Sequence, residues 1–401
     1  MPHYNYLIIG GGMTAAAAVN GIREVDANGS IGLFSMEPDP PYDRLPLSKG
    51  LWKGTALATI WRQFEKHGVE LHLGCRVQSI NPHRKQVIDD NGTSHVFDKL
   101  LLATGGMPRR LPFGTEQIIY FRTVEDYRRL RALAENHQRF CVIGGGFIGS
   151  EVAAALAMNG KQVVMVIPEP TIGSRIFPPD LGLFLNGYFR QKGVELLTEE
   201  KVVKVDGRAE GIAVKICNMK TSREQEIVVD GIVAGIGIQP NVELAQAAGL
   251  KVDNGIVVDE FLRTSYPDIY SAGDAAAFYN PSLGKRIRVE HEDNANSMGR
   301  LAGRNMAEED ELYHHLPSFY SDLFELGYEA VGELSTQHEI IADWKKPNQE
   351  GVIYYLENNR VRGVLLWNVW SQVGAARSLI AESGPFDRQK LKGYLPRPPS
   401  K

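Results

Sequence analysis

The stretch RFCVIGGGFIGSEVAAALAMNGKQVVMVIPE, residues 139–169, has the order strand, glycine turn, helix, strand and carboxylate. Gly144 makes the tight turn, Gly146 lets backbone approach a pyrophosphate, and Gly149 lets the helix pack closely on the sheet. Unpaired N–H groups and the helix dipole favour phosphate at this end of the helix. The pattern is typical of a dinucleotide site. A glycine-rich turn in an ordinary α/β domain is the alternative.

A carboxylate follows the second strand of this segment. Glu169 lies 20 residues after Gly149, just beyond a predicted strand at 163–167. A carboxylate in that place binds ribose hydroxyls and repels the 2′-phosphate of NADPH. We therefore expect NADH to bind here.

The composition is that of an ordinary globular protein, with 401 residues, 43% hydrophobic and 23% charged. These values exclude disordered and fibrous classes. The net charge of −4 gives no electrostatic argument for nucleic acid, and we expect none as a partner. No apolar run approaches the roughly 20 residues of a membrane span. We expect a cytoplasmic protein without a leader peptide, with a mature mitochondrial form as the alternative.

Three cysteines, Cys75, Cys141 and Cys217, lie far apart with no CxxC motif. This spacing argues for a reducing compartment and against a disulfide scaffold. It also argues against a zinc cluster, so we expect no metal.

The same order of strand, glycine turn, helix, strand and carboxylate occurs earlier in the chain. A strand at 4–9 precedes GGGMTA, in which Gly10, Gly12 and Ala15 form GxGxxA around Met13 and Thr14. A small-residue helix at 15–25, a strand at 31–35 and then Glu37 complete the unit. Two such units predict two dinucleotides. Internal duplication alone is the alternative.

Other segments bear on the first unit. PDPPYDRLPLSKGLW, residues 38–52, presents Arg44 and Lys49, although surface loops often carry such residues. Residues 69–97 alternate around a turn at 90–92 and predict an inserted antiparallel sheet. A strand near 100 then runs into Gly105.

The chain returns to the first unit through TSYPDIYSAGDAA. A short strand at 269–271 delivers Gly273 and Asp274 at its carboxyl end, where ligands bind in open α/β sheets. We expect residues 275–277 to begin a helix facing a ribityl phosphate. The alternative is that Asp274 is only a helix cap.

From about residue 313 the pattern changes to short strands at 330–334, 339–342, 351–357 and 362–367, and then a helix at about 371–382. We predict an α/β fold with two Rossmann-like dinucleotide-binding domains, of the glutathione-reductase type, and a C-terminal α+β domain. The expected boundaries are 1–112 with 246–312 for FAD, 113–245 for NAD and 313–401 for the terminal domain.

The order of these motifs resembles that of the two-dinucleotide flavoprotein disulfide-reductase superfamily. Within it, GGGFIGSE, PYDRLPLSKGLW, ATGGMPR, VEHEDNANSMGRLAGRNM and VLLWNVW resemble apoptosis-inducing factor and its bacterial homologues, with bacterial ferredoxin reductases next. The resemblance covers essentially the whole chain.

The resemblance implies an FAD site and an NADH site. The residues implied for FAD are Gly10, Gly12, Met13, Thr14, Ala15, Glu37, Arg44, Lys49, Val77, Ala103, Thr104, Gly105, Arg109, Gly273, Asp274, His291, Glu292 and Tyr320. Those implied for NADH are Gly144, Gly145, Gly146, Phe147, Ile148, Gly149, Glu169, Arg175, Gly237, Glu290, Glu329, Trp367 and Asn368.

The resemblance also implies catalytic roles. Lys49 and Glu151 would form an ion pair beside the reactive flavin nitrogen, and Phe147 would stack at the nicotinamide pocket. A lysine there favours electron density on the reduced ring, and a carboxylate partner holds it in place. A core phenylalanine and a helix N-terminal glutamate favoured by the dipole are the alternatives for Phe147 and Glu151.

The sequence departs from the patterns of these relatives at three points. PYDRLPLSKG contains no cysteine where disulfide reductases have CxxxxC, so electrons must pass from flavin directly to an outside acceptor. Tyr320, in FYSD, stands where the family usually has tryptophan, which weakens its expected ring contact. The targeting extension and long insertions of apoptosis-inducing factor have no counterpart, which argues against apoptotic signalling.

These features, with the resemblance, predict an apoptosis-inducing-factor-like, FAD-dependent NADH:acceptor oxidoreductase that needs no redox-active disulfide. The resemblance implies slow reduction of acceptors and a long-lived charge-transfer complex between flavin and nicotinamide. The acceptor stays open between a ferredoxin, rubredoxin, quinone and dioxygen. A dedicated ferredoxin reductase is one alternative. Another is an NADH-sensing binding protein, which would form a redox-dependent homodimer.

Overall fold

The computed structural model describes residues 1–63, 67–114 and 116–395. They form two compact units. Unit 1 comprises residues 1–43, 58–107 and 239–319, and unit 2 comprises residues 44–57, 108–238 and 320–401. The last six residues of the predicted terminal domain, 396–401, lie outside the described residues. The predicted three-domain boundaries stay a prediction.

The elements are numbered here along the chain. The α-helices among the described residues are α1 (Met13–Val25), α2 (Val124–Asn136), α3 (Phe147–Met158), α4 (Pro179–Gln191), α5 (Glu243–Ala247), α6 (Glu292–Met306), α7 (Val373–Ala381) and α8 (Arg388–Leu391). The strands are β1 (His3–Ile9), β2 (Ile31–Ser35), β3 (Val69–Leu73), β4 (Val77–Asn81), β5 (Gln86–Asp89), β6 (Ser94–Leu102), β7 (Gly106–Pro108), β8 (Ile118–Tyr120), β9 (Arg139–Ile143), β10 (Gln162–Ile167), β11 (Val194–Thr198), β12 (Glu200–Arg208), β13 (Gly211–Asn218), β14 (Glu224–Val229), β15 (Gly231–Ala234), β16 (Ile238–Pro240), β17 (Ile256–Val257), β18 (Ile269–Ser271), β19 (Ala276–Asn280), β20 (Lys285–Ile287), β21 (Ser318–Leu323), β22 (Leu326–Gly332), β23 (Glu339–Lys346), β24 (Glu350–Glu357) and β25 (Arg360–Trp367).

Unit 1 is organised around one mixed sheet. Its strand order is β3-β2-β1-β6-β5-β4, with β18 also paired to β6. Strands β1, β2, β3, β6 and β18 are parallel, and the β4–β5 hairpin continues antiparallel from β6. Leu7, Ile8, Leu100 and Leu101 are fully buried in its central strands. This apolar centre holds the carboxyl ends of β1, β2 and β18 at one edge, where the predicted ligand residues lie.

Unit 2 contains a parallel sheet of order β11-β10-β9-β15-β8 and an antiparallel sheet β12-β13-β14. A further sheet of order β21-β22-β25-β24-β23 belongs to the C-terminal part of the chain, and its pairs β22–β25, β25–β24 and β24–β23 are antiparallel. The predicted sequence of strand, glycine turn, helix and strand is confirmed in both units. The predicted α/β fold class with a terminal α+β region is confirmed as well.

One expected sheet differs in its pairing. Residues 69–97 do not form a separate antiparallel sheet, because Val69–Leu73 pairs in parallel with β2 and extends the main sheet. Alternation of polar and apolar residues reports one exposed face, and it does not distinguish parallel from antiparallel neighbours at a sheet edge. The remaining strands in this stretch, β4, β5 and the start of β6, are antiparallel as predicted.

The prediction that a helix begins at residues 275–277 is wrong. Gly273–Ala275 is a single 3₁₀ turn, and Ala276–Asn280 continues as a strand. Ala276 and Ala277 are buried and pair with β17, so the sheet contact overrides the helix propensity of alanine. The helix at this edge is α6, which follows the β19–β20 hairpin.

Helices α1 and α6 of unit 1 cross with their backbones in close contact. A Cβ atom on Gly303 would lie 2.1 Å from the Ala18 carbonyl oxygen, and one on Gly299 would lie 2.3 Å from the Thr14 carbonyl oxygen. Since these neighbours are backbone atoms, they cannot move aside as a flexible side chain can. The crossing fixes the N-terminal turn of α1.

We expect Gly303→Ala to destabilise the protein by at least about 2 kcal/mol, because overpacking exceeds the gain in helix propensity. Gly187→Ala is the matched control. Gly187 also lies within a helix, α4, but has open space around it. That change should stabilise by roughly 0.5–1 kcal/mol. Urea unfolding followed by circular dichroism measures both, and equal effects would contradict the close crossing.

Candidate functional site

The first glycine turn of unit 1 has the geometry of a phosphate cradle. Gly10 has φ +124°, and a Cβ there would lie 2.0 Å from the Ala103 carbonyl oxygen. Gly12 is the N-cap residue of α1 and faces open space. Because glycine has no side chain, no side-chain hydrogen bond caps the helix. The first N–H groups of α1, from Met13 to Ala15, therefore lie next to space that a side chain would fill. This arrangement fits the pyrophosphate of a dinucleotide.

The SAGDAA segment meets the same helix end. Gly273 has φ +75°, and a Cβ there would lie 2.2 Å from Thr14 Oγ1. Asp274 follows in a half-buried 3₁₀ turn, and its carbonyl oxygen accepts from Arg288 at 3.1 Å. Unit 1 thus brings together two segments that are more than 250 residues apart in the chain.

The carboxylate after β2 is held by a residue that sequence reasoning missed. Tyr42 donates its hydroxyl to Glu37 Oε2 at 2.5 Å, and the Glu37 N–H donates to Ser35 Oγ at 3.1 Å. Tyr42 lies in the proline-rich segment that already presented Arg44. Its role depends on how that segment folds back, which the sequence pattern does not encode.

The ATGG segment follows the carboxyl end of β6. Thr104 donates Oγ1 to the Asn241 carbonyl at 2.7 Å, and Asn241 Nδ2 donates to the Thr104 carbonyl at 2.8 Å. Gly105 follows with φ +65°. Val77, also predicted to contact the flavin, is buried at the start of β4. These contacts hold the predicted residues Ala103, Thr104 and Gly105 in place at the ligand edge of the sheet.

His291 is half-buried at the N-cap of α6 and stacks on Phe319 at 4.1 Å between ring centroids. Burial lowers the pKa of His291 to about 4, and Asp274 and Asp293 offset part of that shift. The neighbouring Glu290 pairs with Arg288 at 2.7 Å, and Glu292 opens α6. His291 is therefore neutral near pH 7.

The glycine turn of unit 2 repeats the first one. Gly144 has φ +109°, and its Cβ would lie 2.5 Å from the Gly235 carbonyl oxygen. A Cβ on Gly149 would lie 2.0 Å from the Gly144 carbonyl oxygen. Gly146 faces open space and caps α3 without a side-chain hydrogen bond. The tight turn at Gly144 and the close helix packing at Gly149 are present, and the approach of a pyrophosphate at Gly146 stays a prediction.

The residues after this turn are accessible. Phe147 is 36% exposed and Ile148 is 37% exposed, although both are large and apolar. Gly145 lies below them, and its carbonyl accepts from the Gly173 N–H at 2.9 Å. An apolar ring at a phosphate-binding turn is suited to cover a ligand.

Glu169 lies just beyond β10 and forms an ion pair of 3.5 Å with Arg175, which is 88% exposed at its side chain. Gly237, with φ +90°, accepts from the Arg109 N–H at 2.9 Å through its carbonyl. Arg44 also belongs to unit 2, where its guanidinium donates to the Arg122 carbonyl at 2.9 Å. The ligand contacts of these residues stay predictions.

The predicted ion pair between Lys49 and Glu151 is present, with Nζ 3.2 Å from Oε1 and both side chains buried. Ser48 donates to Glu151 Oε2 at 2.6 Å, and Ser321 donates to Oε1 at 2.6 Å. Neither serine was singled out from the sequence, although both lie in quoted motifs. Lys49 Nζ also lies 4.2 Å from the Tyr320 ring centroid and donates to the Tyr320 carbonyl at 3.3 Å.

Two predicted residues, Glu329 and Trp367, lie in the terminal sheet, and a third, Asn368, directly follows its strand β25. Glu329 accepts from the Ser371 N–H at 3.1 Å, and burial raises the pKa of its carboxyl. Asn368 has φ +50° and makes reciprocal contacts of 2.8 Å with Gly327. Trp367 is fully buried and stacks on Tyr328, so the fold gives its indole a packing role. A ligand contact by Trp367 stays a prediction.

The cysteines, all three within the described residues, are free thiols. Cys141 is fully buried in β9, and burial raises the pKa of its thiol to about 12. A thiol with so high a pKa carries little of the thiolate form that reacts. In the part of the chain that the structure describes, every helix is too short or too polar to cross a membrane.

Two glycine turns, each followed by a helix, a strand and a carboxylate, define the class of proteins with two dinucleotide-binding folds. The chain belongs to the pyridine nucleotide-disulphide oxidoreductase family, whose profile matches residues 4–299. A second profile, the apoptosis-inducing factor C-terminal region, matches residues 336–382. Members of this class use FAD and NAD(P)H, so the predicted cofactor classes are confirmed.

The relatives include apoptosis-inducing factors and ferredoxin reductases. Mitochondrial apoptosis-inducing factor 1 of Dictyostelium discoideum is 33% identical over 94% of this chain and 78% of that protein. The ferredoxin reductase subunit of 5,5′-dehydrodivanillate O-demethylase from Sphingobium sp. is 31% identical over 98% and 96%. The solved covalent complex of putidaredoxin reductase with putidaredoxin gives a TM-score of 0.89 at 29% identity, over 97% of this chain and 95% of that chain.

We expect the His291 ring to titrate near pH 4, because burial disfavours its charged form. The unfolded chain binds this proton near pH 6.5, so folding stability should fall as pH drops from about 6.5 to about 4. NMR of ¹³C-labelled histidine measures the titration, with His291→Gln to assign the signal. A midpoint near 6.5 would contradict the burial. The folding stability of His291→Gln should fall less between about pH 6.5 and about pH 4 than that of the unchanged protein.

Proposed function

We propose that the chain is an FAD-dependent oxidoreductase that takes hydride from NADH and passes electrons to an external acceptor. The observation that carries the proposal is the pair of uncapped glycine turns, one at Gly12 and one at Gly146. A single-ligand protein has no need of both. FAD would lie on the first turn and exchangeable NADH on the second.

The bound flavin supplies the capacity to accept a hydride and release electrons. The chain would bind and orient the partners. Glu169 would hold the adenosine ribose of NADH, and Phe147 would cover the nicotinamide site or yield to it. Lys49 would place positive charge where the ring gains electron density, with Glu151 fixing its position. Hydride transfer needs no acid or base, so both charged residues act by electrostatics.

The three free cysteines support direct release of electrons to an outside acceptor. None has a second cysteine near it in sequence, and Cys141 is enclosed in β9. A route through a redox-active disulfide would need a paired, accessible thiol. The flavin would therefore serve as the last redox group before the acceptor.

The proposed preference for NADH rests on Glu169. We expect Glu169→Ala to reduce the ratio of kcat/KM for NADH over NADPH by roughly ten-fold, because ribose hydrogen bonds and repulsion of the 2′-phosphate are both lost. The exposed Arg175 would then be free of its carboxylate partner and could bind that phosphate.

The matched control is Glu195→Ala, which removes the same charge from an exposed position on β11 of the same unit. Its ratio should equal that of the unchanged protein. Steady-state kinetics with both nucleotides measures the three proteins. Equal use of NADH and NADPH by the unchanged protein would overturn the assignment of Glu169.

We propose a small iron–sulfur ferredoxin as the acceptor. Ferredoxin reductases match this chain over nearly their whole length, with 96% of the Sphingobium subunit covered. The longer Dictyostelium apoptosis-inducing factor is covered over 78%. The putidaredoxin reductase in the complex with TM-score 0.89 was solved with putidaredoxin bound covalently.

Steady-state oxidation of NADH with equal concentrations of a [2Fe–2S] ferredoxin, a quinone and dioxygen tests the acceptor. We expect the ferredoxin to be reduced at least about ten-fold faster than either alternative. Faster quinone or dioxygen turnover would contradict the ferredoxin proposal. It would leave the NADH:acceptor activity itself in place.

A second candidate is a slow reductase of the apoptosis-inducing factor type, which the match at residues 336–382 favours. Such a protein would keep a persistent complex between reduced flavin and NAD⁺, visible as a long-wavelength absorption band. It would also change its oligomeric state with NADH. Anaerobic spectra and size-exclusion chromatography with and without NADH separate this candidate from the ferredoxin reductase.

A further inference from the structure

Glu151 lies at the centre of a buried hydrogen-bonded cluster in unit 2. Its Oε1 accepts from Ser321 at 2.6 Å and lies 3.2 Å from Lys49 Nζ, while its Oε2 accepts from Ser48 at 2.6 Å. Glu151 itself is only 4% exposed. A carboxylate so enclosed is retained only when its oxygens have donors.

The acceptor and its donors come from three segments of the chain that are far apart in sequence. Ser48 ends the 3₁₀ turn Leu45–Ser48, Glu151 lies in the first turns of α3, and Ser321 lies on β21. Both serines are buried, at 4% and 1% exposure. The carboxylate therefore joins the loop, the second glycine motif and the terminal sheet.

The directions of the hydrogen bonds follow from the donors available. A serine hydroxyl has one proton, and an ionised carboxylate only accepts, so both serines donate to Glu151. Distances of 2.6 Å are those of charge-assisted bonds between hydroxyl and carboxylate. Each oxygen of Glu151 thus has its own hydroxyl donor.

We propose that Ser48 and Ser321 are positioning residues, which hold the Glu151 carboxylate and through it fix the ammonium of Lys49 for the redox reaction. The inference rests on the proposed function. Lys49 has two further contacts, both with Tyr320, and neither compensates the negative charge of Glu151. The hydroxyl groups do so without displacing the ammonium.

The sign of the effect follows from the charges. If one hydroxyl is removed, the carboxylate retains more uncompensated negative charge beside Lys49. The field near the lysine becomes less positive, which disfavours adding electrons to the flavin. The midpoint potential of the bound flavin and the rate of its reduction by NADH should both fall. Binding of NADH should change little, because its proposed ribose contact is at Glu169.

The test uses Ser48→Ala and Ser321→Ala as separate substitutions in the FAD-loaded protein. We expect each to lower the rate of flavin reduction by roughly five- to ten-fold, to lower the flavin midpoint potential, and to leave KM for NADH nearly unchanged. Ser321→Thr keeps a hydroxyl on the strand and should restore both values in large part. Both properties are measured anaerobically, by stopped flow and by redox titration.

Ser150→Ala is the matched control. Ser150 is also buried, neighbours Glu151 in α3, and has a hydroxyl without a hydrogen-bond partner among the described residues. Its removal should leave rate and potential unchanged. The melting temperature should fall for Ser48→Ala and Ser321→Ala and stay unchanged for Ser150→Ala. Only the first two substitutions leave a buried carboxylate short of a donor.

Potentials and rates equal to those of Ser150→Ala would overturn the positioning role. A higher KM together with a lower kcat, neither restored by Ser321→Thr, would also overturn the positioning role and indicate a merely structural one. If one alanine variant does not retain FAD, the other decides. Failure of NADH to reduce the unchanged protein would instead overturn the proposed function, so the two failures are distinguishable.

Discussion

Contact between backbone atoms at the two glycine turns is the constraint on which the local geometry of each unit depends. A Cβ atom would lie 2.0 Å from a carbonyl oxygen at Gly10, 2.5 Å at Gly144 and 2.0 Å at Gly149. Only glycine permits this approach of helix to strand. The result is that α1 and α3 begin directly at the carboxyl ends of β1 and β9, with N–H groups uncapped and the dipole directed to a phosphate.

The second constraint is the buried carboxylate of unit 2. Glu151 follows the second glycine turn closely, so the same turn that prepares a phosphate site also places a negative charge in the interior. That charge is compensated by Lys49 and two serines from other segments. Removing one partner of such a cluster is costly because the others stay buried. The proposed NADH site and the proposed electrostatic role of Lys49 are thereby linked through one helix, α3.

Much of this arrangement could be predicted because it is local in sequence. The strands and helices around both glycine motifs, and the unusual φ angles of Gly10 and Gly144, follow from spacing and residue type. The secondary-structure predictions that were wrong concerned segments whose conformation depends on strands distant in the sequence. Val69–Leu73 alternates as an edge strand in either direction, and Ala276–Asn280 is a strand because its alanines are enclosed by neighbouring strands.

The site shows the same division. The Lys49–Glu151 pair was implied by resemblance and is present, whereas the hydroxyl donors Ser48 and Ser321 require knowledge that three segments converge. Tyr42 on Glu37 is a similar case. Strand β21, which carries Ser321, was not predicted, so no sequence argument could have brought its hydroxyl to the carboxylate.

An anaerobic titration of the oxidised, FAD-loaded protein with NADH, followed by flavin absorbance and thiol counting, tests the central claim most directly. We predict that a single equivalent of NADH bleaches the flavin band completely and that the number of titratable thiols stays constant. A flavin band that persists after NADH is added, or consumption of a second equivalent with the appearance of new thiols, would contradict the account.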